Sequence, residues 1–140
     1  MAVPAAAAAA AATPSAPRDL DPRQVRLALQ GFFRIMELWG ADNAQARAIL
    51  GQPAERTFFK WKRGEVGAVP FDVVRRVGYV AGIWKALQIV YADPAQADGW
   101  LRQPNRAFGG QAPLERMGAG DVTDLVAVRD YLDAARAPWS

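Results

Sequence analysis

Hydrophobic residues recur at spacings of three and four along most of the chain, a pattern that predicts amphipathic helices with one buried face. The first such segment is bounded by Asp21-Pro22, which can cap a helix and form its first turn, and by Gly40, which stops it. Its regularly spaced apolar positions are Val25, Leu29, Phe32, Phe33, Met36 and Trp39. We therefore predict a first helix between residues 22 and 39.

Two short helices and one long helix are predicted next. Asp42-Asn43 caps a short second helix, which the turn Gly51-Gln52-Pro53 ends. A third helix between residues 54 and about 63 carries three bulky aromatic residues, Phe58, Phe59 and Trp61. The long helix opens at Pro70, and Asp93-Pro94 ends it.

The remaining residues predict a compact helical unit. It comprises a short helix around Gln96–Arg102, a loop at residues 103–111, a one-turn helix at Pro113–Met117 and a last helix that Asp121 caps. The apolar positions of the last helix are Leu125, Val128, Tyr131 and Leu132. No segment alternates between apolar and polar residues as a strand does. The predicted fold class is all-α.

This pattern divides the chain into four parts. Residues 1–20 are rich in alanine and proline, and we expect a mobile tail because a short isolated alanine helix is marginal in water. Residues 21–69 are predicted to form a helix-turn-helix domain, and residues 70–93 a connecting helix. Residues 94–140 are predicted to form a small C-terminal helical unit.

Composition argues against an enzyme. The 140 residues include no cysteine and no histidine, which excludes a thiolate metal site, a cysteine nucleophile and a Ser-His-Asp triad. A small enzyme that uses carboxylates such as Asp93, Asp98 and Glu115 is an alternative, but helix capping also explains these acids. We predict no catalytic residue, no metal and no cofactor.

The net charge of +3 is concentrated in the first half of the chain. Residues 1–67 hold nine Lys and Arg against six Asp and Glu, whereas residues 68–140 hold eight of each. A basic cluster in a small helical domain indicates nucleic-acid binding, although a solvated helix face gives the same composition.

The third predicted helix carries this cluster and is the candidate recognition helix of the helix-turn-helix. The second helix of such a pair enters the major groove, where arginine can pair with guanine and lysines contact phosphates. The alternative is a plain helical hairpin with basic residues facing solvent. The predicted DNA-binding residues are Arg56, Thr57, Lys60, Lys62 and Arg63.

No window of about 18 residues is apolar enough to predict a membrane span. The alanine-rich start lacks the basic segment of a signal peptide. We expect a cytoplasmic protein that has no membrane partner.

The C-terminal unit contains four short motifs in a characteristic order: Trp100-Leu101, Pro104-Asn105, Phe108-Gly109 and Pro113-Leu114-Glu115. This stretch closely resembles the toxin-binding domain of the Xre/MbcA/ParS antitoxins. Three segments of the first half, Phe33-Arg34-Ile35, Ile49-Leu50-Gly51 and Trp61-Lys62-Arg63-Gly64, resemble the helix-turn-helix part of the same antitoxins. The resemblance spans roughly residues 24–136.

The resemblance implies the antitoxin of a type II toxin-antitoxin system, with residues 94–140 as its toxin-binding domain. The implied partner is a cognate toxin, commonly a RES-domain enzyme that consumes NAD. The family also implies repression of its own operon through operator DNA. A homodimer that forms a higher hetero-oligomer with the toxin is expected.

We expect the C-terminal unit and its tail to contact the toxin. Tryptophan and arginine are favoured interface anchors, and Trp139 lies close to the end of the chain. For each of these residues a purely structural role is the alternative; Trp139, for example, could fold back on its own domain. The predicted toxin-binding residues are Trp100, Arg102, Asn105, Arg106, Phe108, Leu114, Arg136, Trp139 and Ser140.

Two further alternatives stay open. The first is a stand-alone helix-turn-helix transcriptional regulator with a C-terminal dimerisation or effector domain. The second is an adaptor that binds a protein partner and has no role at DNA.

Overall fold

A computed structural model gives the structure of the protein and describes residues 20–136. Within this range the chain is helical and contains no strand, which confirms the predicted all-α fold. The predicted tail at residues 1–20 lies outside the described residues except for Leu20. The α-helices of the described range are α1 (Pro22–Trp39), α2 (Asn43–Ile49), α3 (Glu55–Lys62), α4 (Phe71–Val90), α5 (Pro94–Trp100), α6 (Pro113–Met117) and α7 (Val122–Arg136), and a short 3-10 helix spans Arg106–Phe108.

The first two helices begin at the residues that the sequence pattern indicates. The Asp21 carboxylate accepts a hydrogen bond from the Gln24 amide at 2.9 Å, and the Gln24 side chain accepts one from the Asp21 amide at 3.0 Å. Asp42 and Gln45 repeat this reciprocal pair at the start of α2. Helix α1 ends at Gly40, whose φ of 74° is a left-handed conformation that glycine adopts without a steric cost.

The short helix before the loop begins earlier than the pattern predicts. Helix α4 ends at Val90, and α5 already starts at Pro94. The Asp93 carboxylate caps α5 by accepting a hydrogen bond from the Ala95 amide at 3.1 Å. Asp93-Pro94 therefore opens α5 as well as separating it from α4, because proline is tolerated in the first turn of a helix.

Helix α4 is the centre of the fold. It packs most extensively against α7 and α1, while α6 packs against α2 and α7, and α5 against α4 and α1. One continuous hydrophobic core joins residues from both halves of the chain. Its largest fully buried side chains are Trp39, Phe32, Phe58, Leu29, Ile49, Leu50, Ile83, Leu87, Leu101, Met117, Leu125 and Leu132.

Two arginines add polar links across this core. The buried Arg76 of α4 pairs with Asp72 at 2.8 Å and donates to the Gly120 carbonyl, just before α7, at 3.0 Å. Arg102, after α5, donates to the Trp39 carbonyl at the end of α1 at 2.7 Å. The C-terminal helices are therefore held to the N-terminal helices by backbone-directed hydrogen bonds as well as by apolar packing.

Candidate partner-binding surfaces

A cluster of aromatic side chains lies where α5, the 3-10 helix and α7 meet. The rings of Trp100 and Tyr131 stack with centroids 5.8 Å apart and planes inclined by 19°. Phe108 meets Tyr131 edge to face at 5.5 Å. Tyr131 remains 39% exposed, so one side of the cluster faces solvent. Such pairs contribute about 0.5–1.5 kcal/mol beyond area burial, and they hold the rings in fixed orientations.

The loop before α6 holds Phe108 in this cluster. The Asn105 side chain accepts a hydrogen bond from the Ala107 amide at 2.9 Å and so caps the 3-10 helix. Gly109 follows with a φ of 66°, which turns the chain away after Phe108. The Arg116 guanidinium lies over the Phe108 ring at 5.9 Å. The Pro-Asn and Phe-Gly motifs therefore act together as a support for one aromatic ring.

A shallow groove extends the cluster toward the end of α4. Its lining residues are Tyr91, Ala95, Gln96, Gly99, Trp100 and Gln103. Ile89 and Val90, which immediately precede Tyr91, are 57% and 37% exposed. We call Tyr91, Trp100, Phe108 and Tyr131 the aromatic surface. Tyr131 is exposed, Tyr91 and Trp100 are half-buried, and Phe108, which is 6% exposed, supports the rings from the core. Accessible aromatic and aliphatic side chains grouped in this way are typical of protein-protein interfaces.

The structure separates the predicted toxin-binding residues into supporting and accessible side chains. Leu114 is 4% exposed and belongs to the core, and Arg102 is engaged with the Trp39 carbonyl. Arg106 is exposed on the 3-10 helix beside the aromatic surface. Phe108 is also buried in the core, whereas Trp100 is half-buried.

The three remaining predicted toxin-binding residues lie at the end of the chain. Arg136 closes α7, with its guanidinium 3.9 Å from the Asp133 carboxylate. Trp139 and Ser140 lie outside the described residues. The predicted tail contact therefore stays a prediction.

Tyr131 is an accessible aromatic that the sequence pattern assigns to the apolar face of the last helix. Leu125, Val128 and Leu132 form that face, at spacings of three and four, and all three are buried. Tyr131 directly precedes Leu132, so it is rotated to the edge of the buried face. This spacing is the signal that distinguishes Tyr131 from the core positions.

The basic residues of α3 form a second accessible surface. Arg56, Lys60, Lys62 and Arg63 are exposed, whereas Thr57 is half-buried. Helix α3 is anchored by Phe58 and Trp61, which are 0% and 5% exposed and point into the core. Arg56, Lys60 and Lys62 therefore project from a helix whose opposite face is packed in the core, and Arg63 caps the end of that helix.

Two of these cations have partners within the chain. Lys62 donates a hydrogen bond to the Asn43 side chain at 2.6 Å. Arg63 donates to Glu65 at 3.0 Å, and this hydrogen bond is the main reason that the pKa of the Glu65 carboxyl is lowered from its ordinary value of 4.5.

A groove between α1 and α3 brings further positive charge beside this surface. Arg26 and Arg34 of α1 line it together with Lys62 and Arg63, and the Phe33 and Trp61 side chains also contribute to its lining. Arg34 is paired with Glu37 at 3.5 Å in an exposed arrangement. We call Arg26, Arg34, Arg56, Lys60, Lys62 and Arg63 the basic surface.

Residues 20–136 contain neither a metal-binding cluster nor a membrane-spanning helix. No group of three or more His, Cys, Asp or Glu side chains in this range is placed to hold a metal ion. None of the described helices is both long and apolar enough to span a membrane. Of the three acids considered for catalysis, Asp93 and Glu115 accept backbone hydrogen bonds at helix starts.

Comparison with known proteins places the aromatic surface in a recognised module. The family model described as the antitoxin Xre/MbcA/ParS C-terminal toxin-binding domain matches residues 86–137. The match contains α5, the 3-10 helix, α6 and α7, and with them all four residues of the aromatic surface. This family is not a class of enzymes.

A relative from Sinorhizobium fredii extends the similarity over most of the chain. It is the uncharacterized protein y4oB, which is 41% identical over 116 residues. The aligned region covers 83% of this chain and 89% of y4oB. Over residues 86–137 the chain therefore contains the C-terminal toxin-binding domain of the Xre/MbcA/ParS antitoxins, and over most of its length it belongs to one family with y4oB.

Proposed function

We propose that this protein neutralises a cognate toxin by direct binding through the aromatic surface. The observation that carries the proposal is the partly exposed Trp100–Tyr131 stack, which lies inside the matched toxin-binding domain. Aromatic side chains that are already ordered lose little conformational freedom on binding, and they are frequent interface anchors. Arg106, which lies on the same 3-10 helix as Phe108 and is exposed, supplies charge at the rim of this surface.

The inhibited toxin is, on this proposal, a RES-domain enzyme that consumes NAD. Its identity is inferred from family resemblance. Neutralisation requires only that the antitoxin cover the toxin's active site or hold it in an inactive state. It requires no catalytic group in this chain, which agrees with a composition that lacks histidine and cysteine.

The toxin-binding proposal is tested by a matched pair of aromatic truncations. Tyr131 and Phe59 are 39% and 37% exposed, but Phe59 lies on α3, outside the aromatic surface. Tyr131→Ala should weaken toxin binding by about 10–30-fold, the cost of losing an interface anchor worth about 1.4–2 kcal/mol. Phe59→Ala should leave the affinity within about threefold.

Isothermal titration calorimetry with an inactive toxin variant provides the measurement. Circular dichroism of each antitoxin variant checks that the helical fold is retained. Equal losses of affinity for Tyr131→Ala and Phe59→Ala, or no loss for either, would remove the aromatic surface from the toxin interface.

We also propose that α2 and α3 form a helix-turn-helix that binds operator DNA and autoregulates the operon. The basic surface supports this proposal, because it combines exposed cations of α3 with Arg26 and Arg34 of α1. Contacts from lysine and arginine to phosphates supply most of the affinity for DNA. A homodimer would present two α3 helices to paired half-sites.

Gel-shift and fluorescence-anisotropy titrations over a range of salt concentrations test the DNA proposal. Lys60→Ala should weaken binding to all sequences and reduce the salt slope by about one, since one phosphate contact is lost. Arg56→Ala should relax the preference at one base pair. Absence of any operator shift at low salt, with the antitoxin alone and with its toxin, would exclude α3 as a DNA reader.

A further inference from the structure

The outward face of α3 carries an aromatic side chain among its cations. Phe59 is 37% exposed. Arg56 lies three residues before it, and Arg63, which caps the end of α3, lies four residues after it. Residues at these spacings share one face of a helix. Lys60, which follows Phe59 directly, is also exposed. An apolar ring therefore lies in the middle of the cations that α3 contributes to the basic surface.

The Phe59 ring is held in place from within the fold. It meets the Phe58 ring edge to face, with centroids 5.1 Å apart, and Phe58 meets Phe33 of α1 in the same way at 5.4 Å. Phe33 in turn meets the Phe32 ring at 5.2 Å. Phe58 and Phe32 are fully buried, so this series of four rings runs from the core to the surface of α3. A side chain that is already ordered loses little conformational freedom when it makes a contact.

The charge around Phe59 favours duplex DNA over a second copy of the chain. Helix α3 holds one acid, Glu55, against the exposed cations Arg56, Lys60 and Lys62. Two copies that packed on this face about a two-fold axis would bring these cations against one another, and such like-charge contacts are unfavourable. A phosphate backbone complements the same charges.

The chemistry of the phenyl ring then selects one group in the major groove. Most base edges there present hydrogen-bond donors or acceptors, which a phenyl ring cannot pair with. Thymine differs because its C5-methyl group projects into the groove and is apolar. A phenyl ring among phosphate-binding cations therefore suits a thymine methyl group.

We propose that Phe59 reads thymine, its ring contacting the C5-methyl group of one thymine in the site that each α3 binds. This role rests on the proposed binding of α3 to operator DNA, and it adds a specificity-determining residue to that proposal. The lysines and arginines supply affinity for any duplex, whereas Phe59 distinguishes thymine from the other bases at one position. Burial of a single methyl group changes the affinity about fourfold.

Replacement of thymine by deoxyuridine tests the proposal, because it removes only the methyl group. The duplex is the promoter region upstream of the gene, or the sequence that the full-length parent chain selects from a randomised library. Each thymine is replaced in turn, and fluorescence anisotropy measures the affinities. The parent chain should lose about three- to fivefold at one thymine of each half-site. Phe59→Ala should bind the thymine duplex at least about fourfold more weakly and lose nothing further at that position, because the methyl group no longer has a partner.

Two control variants show whether the effect belongs to the ring. Phe59→Leu keeps an apolar side chain and should retain most of the sensitivity to deoxyuridine, and it also keeps the test available if Phe59→Ala disturbs the fold. Leu38→Ala truncates a side chain of matching exposure, 36%, on α1 outside the basic surface. It should bind every duplex with the parent affinity.

The outcomes separate this role of Phe59 from DNA binding itself. If the parent chain binds DNA but is insensitive to deoxyuridine at every thymine, or if Phe59→Ala keeps the full sensitivity, Phe59 does not read thymine. A change in the oligomeric state of Phe59→Ala by light scattering, with the sensitivity unchanged, would assign the residue to a contact between copies and overturn the proposal. Absence of any DNA binding by the parent chain, alone and with its toxin, would refute the role of α3 at DNA and this role of Phe59 with it.

Discussion

Arg102 and Arg106 make a matched pair that separates folding from partner binding. Both arginines follow α5 in the chain, and the sequence predicts a toxin contact for each. In the structure Arg102 donates a 2.7 Å hydrogen bond to the Trp39 carbonyl, which ends α1. Both side chains are exposed, but of the two only Arg102 has a side-chain hydrogen bond within the described residues, and Arg106 lies beside the aromatic surface. Replacement by methionine keeps most of each apolar stem and removes only the charged donor.

The expected cost of Arg102→Met follows from this one hydrogen bond. Hydrogen bonds to charged groups contribute about 1.5–3 kcal/mol, and the partial exposure of Arg102 reduces this to about 1–2 kcal/mol. For a chain of this size the melting temperature should fall by about 3–8 °C. Arg106→Met should leave the melting temperature within about 1 °C, because it removes no anchoring contact to another helix.

Differential scanning calorimetry of the free antitoxin measures both variants, and titration with the toxin below the melting transition measures binding. Arg106→Met should weaken toxin binding, whereas folded Arg102→Met should bind with nearly the parent affinity. If Arg102→Met melts at the parent temperature and binds the toxin weakly, Arg102 is a partner contact and the role assigned to it in holding α1 is wrong.

Two further predictions concern the ion pairs. Arg76→Met should lower the free energy of unfolding by about 2–4 kcal/mol in urea titrations, because a buried donor to the backbone is lost. Asp72→Asn should cost about 1 kcal/mol or less, since its side chain is 49% exposed. Arg63→Gln should raise the pKa of Glu65 toward 4.5 in a carbon-detected NMR titration, because Arg63 lowers it. In the parent chain the small stabilisation from this pair is present above pH 4.5 and is lost as the pH falls through the lowered pKa.

The helices themselves could be predicted largely from local sequence. Helix α1 occupies the predicted residues because Asp21 and Gly40 are strong local signals at its two ends. The sequence pattern places the start of α5 two residues too late, because Asp93-Pro94 can end one helix and open the next. Capping residues identify where a helix boundary lies, but they do not determine how many non-helical residues separate the two helices.

The assignment of side chains to sites depends on contacts that local patterns do not contain. Arg102 reaches a carbonyl 63 positions earlier in the chain, so its partner depends on the packing of α5 against α1. Tyr131 remains 39% exposed because Trp100 and Phe108, which come from two other segments, contact only part of its ring. The motifs identified the module, whereas its accessible surface required the tertiary structure.

The continuous core also determines how the toxin interface should be tested. Truncation after residue 93 would remove α5, α6 and α7, and with them the buried Leu101, Leu125 and Leu132. The remaining helices would expose a large part of the core, so a loss of binding could reflect unfolding. Point substitutions on the aromatic surface avoid this ambiguity.

The most direct test of the account is co-expression of the full chain with the product of the adjacent gene, followed by size-exclusion chromatography with light scattering. The account predicts a stable complex of the two proteins that the Trp100→Ala, Tyr131→Ala double variant, folded by circular dichroism, fails to form. A chain that elutes alone when co-expressed with either neighbouring gene product, or a complex that the double variant forms unchanged, would contradict toxin neutralisation through the aromatic surface.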